Sequence, residues 1–421
     1  MIHWISDGLT YLLSQSGESL LGLFWFVAIF EVPRYLLGFL AVAAVGVPQG
    51  QAPTCHAKRP RVTAIIAGHN EEQSIERCVR CLHEQSQPPD QIVVLSDGST
   101  DRMPTKLREL KARGLIDEFH CTELRSGKPA GFNLTLRHAA EEIVVNVDCD
   151  CTFDRYAIEN IVAPFADPEV AGVSGNIVAR NGMLNLVTGF QAIEYLITIS
   201  QGKQAADLIG QVTCVSGGFG AFRSSVIREC GGLDAGGGED LDATLRLRKS
   251  GWKTVFAQDA LCYTDVPDTL GGLVRQRFRW ERDAVRLRFR KHRDFLNPFS
   301  SQFSWSELFH QIDFLVFNIA AAVVFPIYVL WLSMTYGDLA LIVLLGAQAG
   351  MMLLDFLSFL LAALVTPRLN AIGLIPYVPG YSLFNGFLMR FVRLGAYLDE
   401  WIFYSSYQDT YIPQKVHRVR R

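Results

Sequence analysis

Five short polar clusters in this 421-residue chain have the residue types that chemistry on a charged substrate needs. Asp148-Cys149-Asp150 sets two carboxylates one residue apart, so both can turn toward one ligand. A hard divalent cation takes oxygen ligands and bridges carboxylates to substrate phosphates, which suits this pair; a solvated turn uses the same residues. Asp97-Gly98-Ser99-Thr100-Asp101 offers a carboxylate beside a glycine that lets a ligand approach closely, or an ordinary β-turn. Lys128 precedes a helix, and a lysine with a helix N-terminus suits a phosphate; the alternative is a solvated lysine. Glu239-Asp240 follows Gly231–Gly238, which has five glycines in eight residues, and opens another helix. The helix dipole favours charged carboxylates there, whether they serve as caps or as a general base. Gln276-Arg277-Phe278-Arg279-Trp280 lies in a stretch, Arg275 to Arg293, where nine of nineteen residues are Lys or Arg. Arg279 could neutralise a diphosphate leaving group and Trp280 could stack on a sugar ring. The same stretch also fits an amphipathic helix on anionic lipid.

The elements that would position these clusters alternate between two periodicities. Val62–Ala67, Gln91–Leu95 and Glu142–Val147 are short apolar runs rich in β-branched residues. Gln73–Glu84, Lys106–Arg113, Pro129–Ala140 and Leu241–Ser250 have helical spacing. Strands alternating with helices predict a parallel α/β sheet, in which ligands lie beyond the carboxyl ends of the strands. His69-Asn70-Glu71-Glu72, Asp97–Asp101 and Asp148–Asp150 all fall at such ends.

Apolar residues make up 49% of the chain and charged residues 19%, against about 25% charged in an average soluble domain. The excess lies near the two ends. Leu20–Val47 is long enough to cross a hydrocarbon core of about 30 Å, with Pro33 expected to kink it and Glu31 spaced to pair with Arg34. Phe314–Met334 and Leu339–Val365 read as two more spans, and Ala371–Phe391, broken by Pro376 and Pro379, as a full span or a re-entrant element. His56, Lys58, Arg59 and Arg61 follow the first span, and Lys415, His417, Arg418, Arg420 and Arg421 end the chain, both placed on the cytoplasmic side by the positive-inside rule. The expected organisation is an N-terminal membrane segment (1–48), a cytoplasmic domain (49–270), basic interfacial helices (271–312), and C-terminal membrane helices with a basic tail (313–421). Composition excludes disorder, collagen and coiled coil, and a net charge of −3 argues against a nucleic-acid partner. Nine scattered cysteines read as reduced; Cys78-x-x-Cys81, Cys149 and Cys151 read as packing residues rather than a zinc or redox site.

Taken in order, Asn70-Glu71, Asp97-Gly98, Asp148-x-Asp150, Glu239-Asp240 and Gln276-x-x-Arg279-Trp280 resemble the motifs of membrane-integrated family 2 glycosyltransferases of the processive β-polysaccharide synthase kind. Cellulose, chitin, hyaluronan and poly-N-acetylglucosamine synthases belong to that group. The likeness covers roughly Pro60 to Asp294, plus the flanking membrane segments. The Val215–Phe222 and Val266–Leu273 runs are most similar to the poly-N-acetylglucosamine branch. The resemblance implies a GT-A-like, Rossmann-like α/β domain flanked by transmembrane helices in the inner membrane. It implies a UDP-sugar donor, a growing glycan or lipid acceptor, membrane lipids around the spans, and Mg²⁺ or Mn²⁺ as cofactor. It further implies that Asn70, Glu71 and Asp97 contact the uridine, with Lys128 nearby. Asp148 would approach the diphosphate and Asp150 hold the metal. Asp240, with Glu239 beside it, would be the base, and Gln276, Arg279 and Trp280 would bracket diphosphate and acceptor.

The chain departs from the pattern at Ser96, where many relatives have an acid, at Gly238, where many have threonine, and at Glu281-Arg282-Asp283, where that branch has a small, glycine-rich run. The expected reaction polymerises UDP-N-acetylglucosamine or UDP-glucose into a β-linked extracellular polysaccharide. The rival within the class is transfer of one sugar to a membrane lipid. Three or four spans are few for a private channel, which leaves room for a partner subunit or a homo-oligomer.

Overall fold

The apolar runs at Val62–Gly68 (β1), Gln91–Asp97 (β2) and Ile143–Val147 (β4) are central strands covered on both faces, which is why they read as unbroken hydrophobic segments. The computed structural model describes residues 8, 10–45, 59–208, 210, 212–234, 236–366 and 371–408. His56, Lys58 and the basic tail from Lys415 lie outside these residues.

Eight strands form one sheet in the order β3-β2-β1-β4-β7-β6-β8-β5. The remaining strands are Glu118–Thr122 (β3), Thr152–Phe153 (β5), Val170–Ala179 (β6), Phe219–Arg223 (β7) and Lys253–Thr264 (β8). From β3 to β4 all pairings are parallel. Then β7 runs antiparallel to both β4 and β6, β8 runs parallel to β6, and β5 runs antiparallel to β8. The sheet is therefore mixed, and the parallel sheet expected from sequence is its first half. The turn from parallel to antiparallel falls at β4, whose end carries Asp148 and Asp150.

Helices cover both faces. Ile75–His83 buries Ile75, Cys78, Val79 and Leu82 against one face; each aliphatic side chain of that kind contributes roughly 1.5–3 kcal/mol. Cys149, Cys151 and Cys262 complete this core, and the eight described cysteines are all free thiols. Lys128–His138 packs Phe132 and Leu136 on the opposite face beside Val226, Ile227 and Leu247.

Among the described residues two helices, Trp305–Tyr336 and Leu339–Val365, are long and apolar enough to cross a membrane. A third candidate is the pair Gly17–Leu23 and Val27–Leu40, bent by 80°. The bend falls ahead of a π-helical turn, Val27–Glu31, and not at Pro33, which sits in the first turn of the following helix. Val27–Leu40 runs on through Pro33 as one helix, with the π-helical turn directly ahead of the proline. Glu31 pairs with Arg390 near the chain's end rather than with Arg34. Ala371–Tyr377 is 3₁₀, and the helical path continues through Val378–Leu383, Phe384–Leu388 and Met389–Phe403.

Ionic and hydrogen-bonded contacts join the sheet domain to these helices. Arg248 and Glu307 form an ion pair with both side chains 2% exposed. Glu281 accepts from Arg393 at 3.1 Å and from the Tyr397 hydroxyl at 2.6 Å, and Arg290 pairs with Glu400 at 2.6 Å.

Candidate active site

The antiparallel pairing of β4 with β7 draws the Ser216-Gly217-Gly218 segment across the end of β4. The Asp148 amide donates to the Gly218 carbonyl at 3.1 Å, and the Asn146 side-chain amide donates to the Gly217 carbonyl at 2.6 Å. Lys128, at the first turn of its helix, reaches the same place. Its ammonium donates to the Gly217 carbonyl at 2.8 Å and to the Asp148 carboxylate. Burial alone would depress this lysine, but the nearby carboxylates of Asp148, Glu239 and Asp240 outweigh it and hold the ammonium well above its ordinary value. Lys128 is thus a fixed cation between the carboxylates at the end of β4 and those that open the Glu239–Lys249 helix.

That helix begins at Gly238, which has φ of +68°, a conformation a threonine would adopt only with strain. The departure from the family pattern follows from this. A Cβ on Gly237 would lie 1.9 Å from an Asp283 carboxylate oxygen, so the glycine-rich loop lies directly on the Leu270–Arg286 helix. The Gly237 carbonyl accepts from Arg286 at 2.6 Å. The loop is therefore braced, and Asp283 and Glu281 have structural partners of their own; this accounts for the acidic run after Trp280.

Asp240 accepts from the Gly217 amide at 3.2 Å and from the Leu241 amide at 2.8 Å. Glu239 is pushed up to about 7 by burial and by the adjacent Asp240, with Lys128 acting in the opposite direction. The two carboxylates are held differently, although sequence presents them as equals.

Gln276, Arg279 and Trp280 are spaced i, i+3, i+4 and share one side of the Leu270–Arg286 helix. Trp280 is 41% exposed, with the Arg277 guanidinium 4.3 Å over its ring. Arg277 is itself buried in an ion pair with Glu194 at 2.6 Å. The Gln276 side-chain oxygen is buried and makes no hydrogen bond among the described residues. Arg279 is half-buried.

Asp97 is buried, and its carboxylate is taken up by protein: it accepts from the Ser126 amide at 2.8 Å, the Gly127 amide at 2.7 Å and the Thr122 hydroxyl at 3.2 Å. It anchors the turn that delivers Lys128. Asn70 adopts a positive φ of 61°, and its side-chain oxygen accepts from the Thr100 amide at 2.8 Å, so it joins the loops after β1 and β2.

Glu71, Asp148 and Asp150 crowd one another. Burial and then Asp148 raise Asp150, while burial raises Glu71, with Asp150 and Asp148 adding to the shift. The Asp150 carboxylate accepts from the Thr264 hydroxyl at 3.0 Å and from the Cys151 thiol at 3.8 Å, and its backbone carbonyl accepts from Arg180 at 3.1 Å. All-oxygen donors with surplus negative charge fit a hard divalent cation that completes its shell with phosphate and water.

Three features were not legible locally. Lys203 is buried, with its ammonium donating to the Ser174 hydroxyl at 2.8 Å and to Ser216. Burial lowers it, with Cys214 and Asp240 acting in the opposite direction. Arg180 and Thr264 support Asp150 from the second half of the sheet. A cavity of about 330 Å³ opens nearby, lined by Asn176, Arg180, Tyr195, Ser200, Tyr263 and Leu374. Within it the Asn176 side-chain oxygen and the Ser200 hydroxyl are buried and make no hydrogen bond among the described residues.

A mixed α/β sheet with paired carboxylates at the parallel-to-antiparallel seam and a second acidic pair facing them across a lysine is the GT-A arrangement of nucleotide-sugar transferases. Residues 60–282 match the family described as glycosyltransferase like family 2. This chain belongs to that family and is a glycosyltransferase. It is 28% identical over 345 residues to an N-acetylglucosaminyltransferase of Azorhizobium caulinodans, covering 77% of this chain and 83% of that one. It is 27% identical to a poly-β-1,6-N-acetyl-D-glucosamine synthase of Staphylococcus epidermidis, over 53% of this chain and 55% of the relative. The alignment to this synthase thus spans about half of each protein. Among solved structures, a mannosyltransferase of Pyrobaculum calidifontis in complex with GDP-Man and Mn²⁺ superposes with a TM-score of 0.59 at 25% identity, covering 80% of this chain and 94% of that one.

Proposed function

We propose that this enzyme transfers N-acetylglucosamine from its UDP donor to the end of a growing β-linked glycan at the cytoplasmic face of the inner membrane. The observation that carries the reading is Lys128, which links the Asp148–Asp150 carboxylates to the Glu239–Asp240 pair across a single cleft. The names of the two aligned relatives support N-acetylglucosamine over glucose.

In this mechanism Asn70, Glu71 and the Asp97 turn receive the nucleoside, and Lys128 holds the cleft's carboxylates in register. A divalent cation, Mg²⁺ or Mn²⁺, held by Asp150 and Asp148 would neutralise charge on the leaving diphosphate. Arg279 adds positive charge on the same side, as stabilisation of charge that develops during the reaction. Asp240 takes the proton of the acceptor hydroxyl as its oxygen attacks the anomeric carbon. The bond to the diphosphate oxygen breaks in the same step and UDP leaves with the electron pair, so an α-linked donor gives a β-linked product. Trp280 offers a stacking face to the acceptor, with Gln276 one turn earlier on the same side of the helix. The cavity lined by Arg180 and Tyr195 extends the acceptor's path toward the membrane helices.

The test uses the full chain in lipid nanodiscs with Mn²⁺ or Mg²⁺ and separately radiolabelled UDP-N-acetylglucosamine, UDP-glucose and UDP-glucuronate. Long polymer from the first donor, sensitive to a β-N-acetylglucosamine-specific hydrolase, is the expected result. A single sugar recovered in the lipid fraction, or polymer from another donor, would overturn the reading.

A further inference from the structure

Outside the cleft, three metal-ligating side chains converge at the outer edge of the sheet. Glu118 and His120 alternate on β3, so they share one face of the edge strand. His138 ends the Lys128–His138 helix and reaches the same point. One ligand atom from each lies within 4.8 Å of the others. His120 Nε2 is 3.1 Å and His138 Nδ1 is 2.8 Å from the same Glu118 oxygen, and the two imidazole rings stand 4.2 Å apart.

Hydrogen bonding does not use this arrangement fully. His120 Nε2 is buried and makes no hydrogen bond among the described residues, despite its short distance to the carboxylate. A buried imidazole nitrogen without a partner is costly unless something else fills its lone pair. Metal–nitrogen and metal–oxygen bonds of about 2.0–2.2 Å at a tetrahedral angle separate ligand atoms by roughly 3.4 Å. The two nitrogens stand 3.1 Å and 2.8 Å from the carboxylate oxygen, so each need draw back by only about 0.3–0.6 Å to reach that spacing. Two imidazoles and one carboxylate select a borderline transition ion of the Zn²⁺ class over Mg²⁺ or Ca²⁺. The C-terminus of the helix also favours a cation at His138.

We propose that Glu118, His120 and His138 form a transition-metal site, with water in the fourth position. It is separate from the catalytic carboxylates: His138 lies ten residues along the helix from Lys128, roughly 15 Å at the α-helical rise. The ion clips the edge strand to the far end of the helix that presents Lys128. It thereby covers part of an otherwise open sheet edge and fixes the helix that positions the cleft's lysine.

The full chain in nanodiscs, stripped of metal and re-equilibrated with excess Mg²⁺ to occupy the all-oxygen site, would be titrated with Zn²⁺ against a chromophoric chelator. One tightly held Zn²⁺ per chain is expected, retained in Asp150→Asn and accompanied by a rise in unfolding temperature. Co²⁺ in its place should give the visible absorption of a tetrahedral nitrogen-ligated ion. His120→Asn and His138→Asn should each weaken Zn²⁺ by more than about tenfold, the lower end for losing even an outer-shell partner. Absence of retained Zn²⁺ in the unmodified protein would overturn the proposal, and so would unchanged Zn²⁺ affinity in the His120→Asn/His138→Asn double variant. Should the double variant fail to fold, single His138→Asn, half-exposed at a helix end, decides by the same titration. The result is independent of which sugar is transferred.

Discussion

The two halves of the sheet solve different problems. The first, β3-β2-β1-β4, is parallel, and its loops at the carboxyl ends converge on one groove. The second, β7-β6-β8-β5, is mixed, with register breaks between Val170 and Gly172 and between Gly175 and Asn176 where β6 meets β8. The first half holds Asn70, Glu71, Asp97 and Lys128. The second supplies Gly217, Thr264 and Arg180 and lies against the membrane helices. Asp148 and Asp150 sit at the seam and are tied to the second half, the Asp148 amide donating to the Gly218 carbonyl and the Asp150 carboxylate accepting from Thr264. In the proposed reading the donor side is joined by contacts between segments 29–30 residues apart, whereas the seam beside it is closed by contacts between segments 71–114 residues apart.

The sharpest test pairs one residue from each side. Asp240→Asn should lower kcat by about 10²–10⁴, the range for loss of a general base, with UDP affinity within a few-fold of the unmodified enzyme. Asp97→Asn keeps one acceptor and sets an NH2 donor against either the Ser126 or the Gly127 amide, and should mainly raise the KM for the nucleotide sugar. Steady-state kinetics and UDP calorimetry on both variants decide this. Equal loss of UDP binding in Asp240→Asn would erase the division of labour between the halves.

The second prediction concerns docking. Arg248 and Glu307 are buried against each other between the sheet domain and the Trp305–Tyr336 helix. Arg248→Met leaves a buried uncompensated carboxylate and should cost about 3–5 kcal/mol, whereas Arg248→Met/Glu307→Leu should recover most of it. Denaturation in nanodiscs followed by tryptophan fluorescence checks the sign. A single cooperative transition that shifts as a whole is expected if the two parts fold as one unit.

The same contrast explains what could be read from the chain. β1, β2 and β4 are apolar runs bounded by polar ends, so their limits were visible to within two residues. β3, with the sequence Glu-Phe-His-Cys-Thr, is a half-buried edge strand with no such run. β8 spans twelve residues but is interrupted by Gln258-Asp259, where its pairing with β6 slips. The motif residues were legible because their chemistry is unusual at strand ends. Lys203 was not, because a lysine's burial against Ser174 and Ser216 is set by segments 29 and 13 residues away and leaves no local pattern. The opposite error occurred at Glu31, where a local spacing suggested Arg34 and the fold chose Arg390.

Lys203 gives the third prediction. Its ammonium fixes Ser216, the residue before the Gly217 amide that Asp240 accepts from. Lys203→Met removes the charged donor from the Ser174 and Ser216 hydroxyls, which keep their hydrogen bond to each other, and should lower kcat by about tenfold, about 1.4 kcal/mol, near the low end for a hydrogen bond to a charged group. Because Lys203 sits on the transfer side, the nucleotide KM should be unchanged. A rise in that KM as large as the fall in kcat would show that the seam transmits strain to the donor groove.

The smallest effect separates the two adjacent acids. Glu239 is raised to about 7 by burial and by Asp240, so near neutral pH it carries a proton much of the time. As pH rises through that value a second negative charge forms beside Asp240. In the proposed reading an ionised Glu239 assists the neighbouring base, so kcat/KM should climb a few-fold through an acid limb near 7. Glu239→Gln, fixed in the uncharged form, removes that limb: its rate should stay at the level the unmodified enzyme has below pH 7, a few-fold under the plateau. The pH–rate profiles of the two forms, measured at fixed saturating Mn²⁺, supply the check. An acid limb that stays in place in Glu239→Gln would assign it to the seam carboxylates Glu71 and Asp150, which are also raised, and would move the titrating step from the transfer side of the cleft to the donor side.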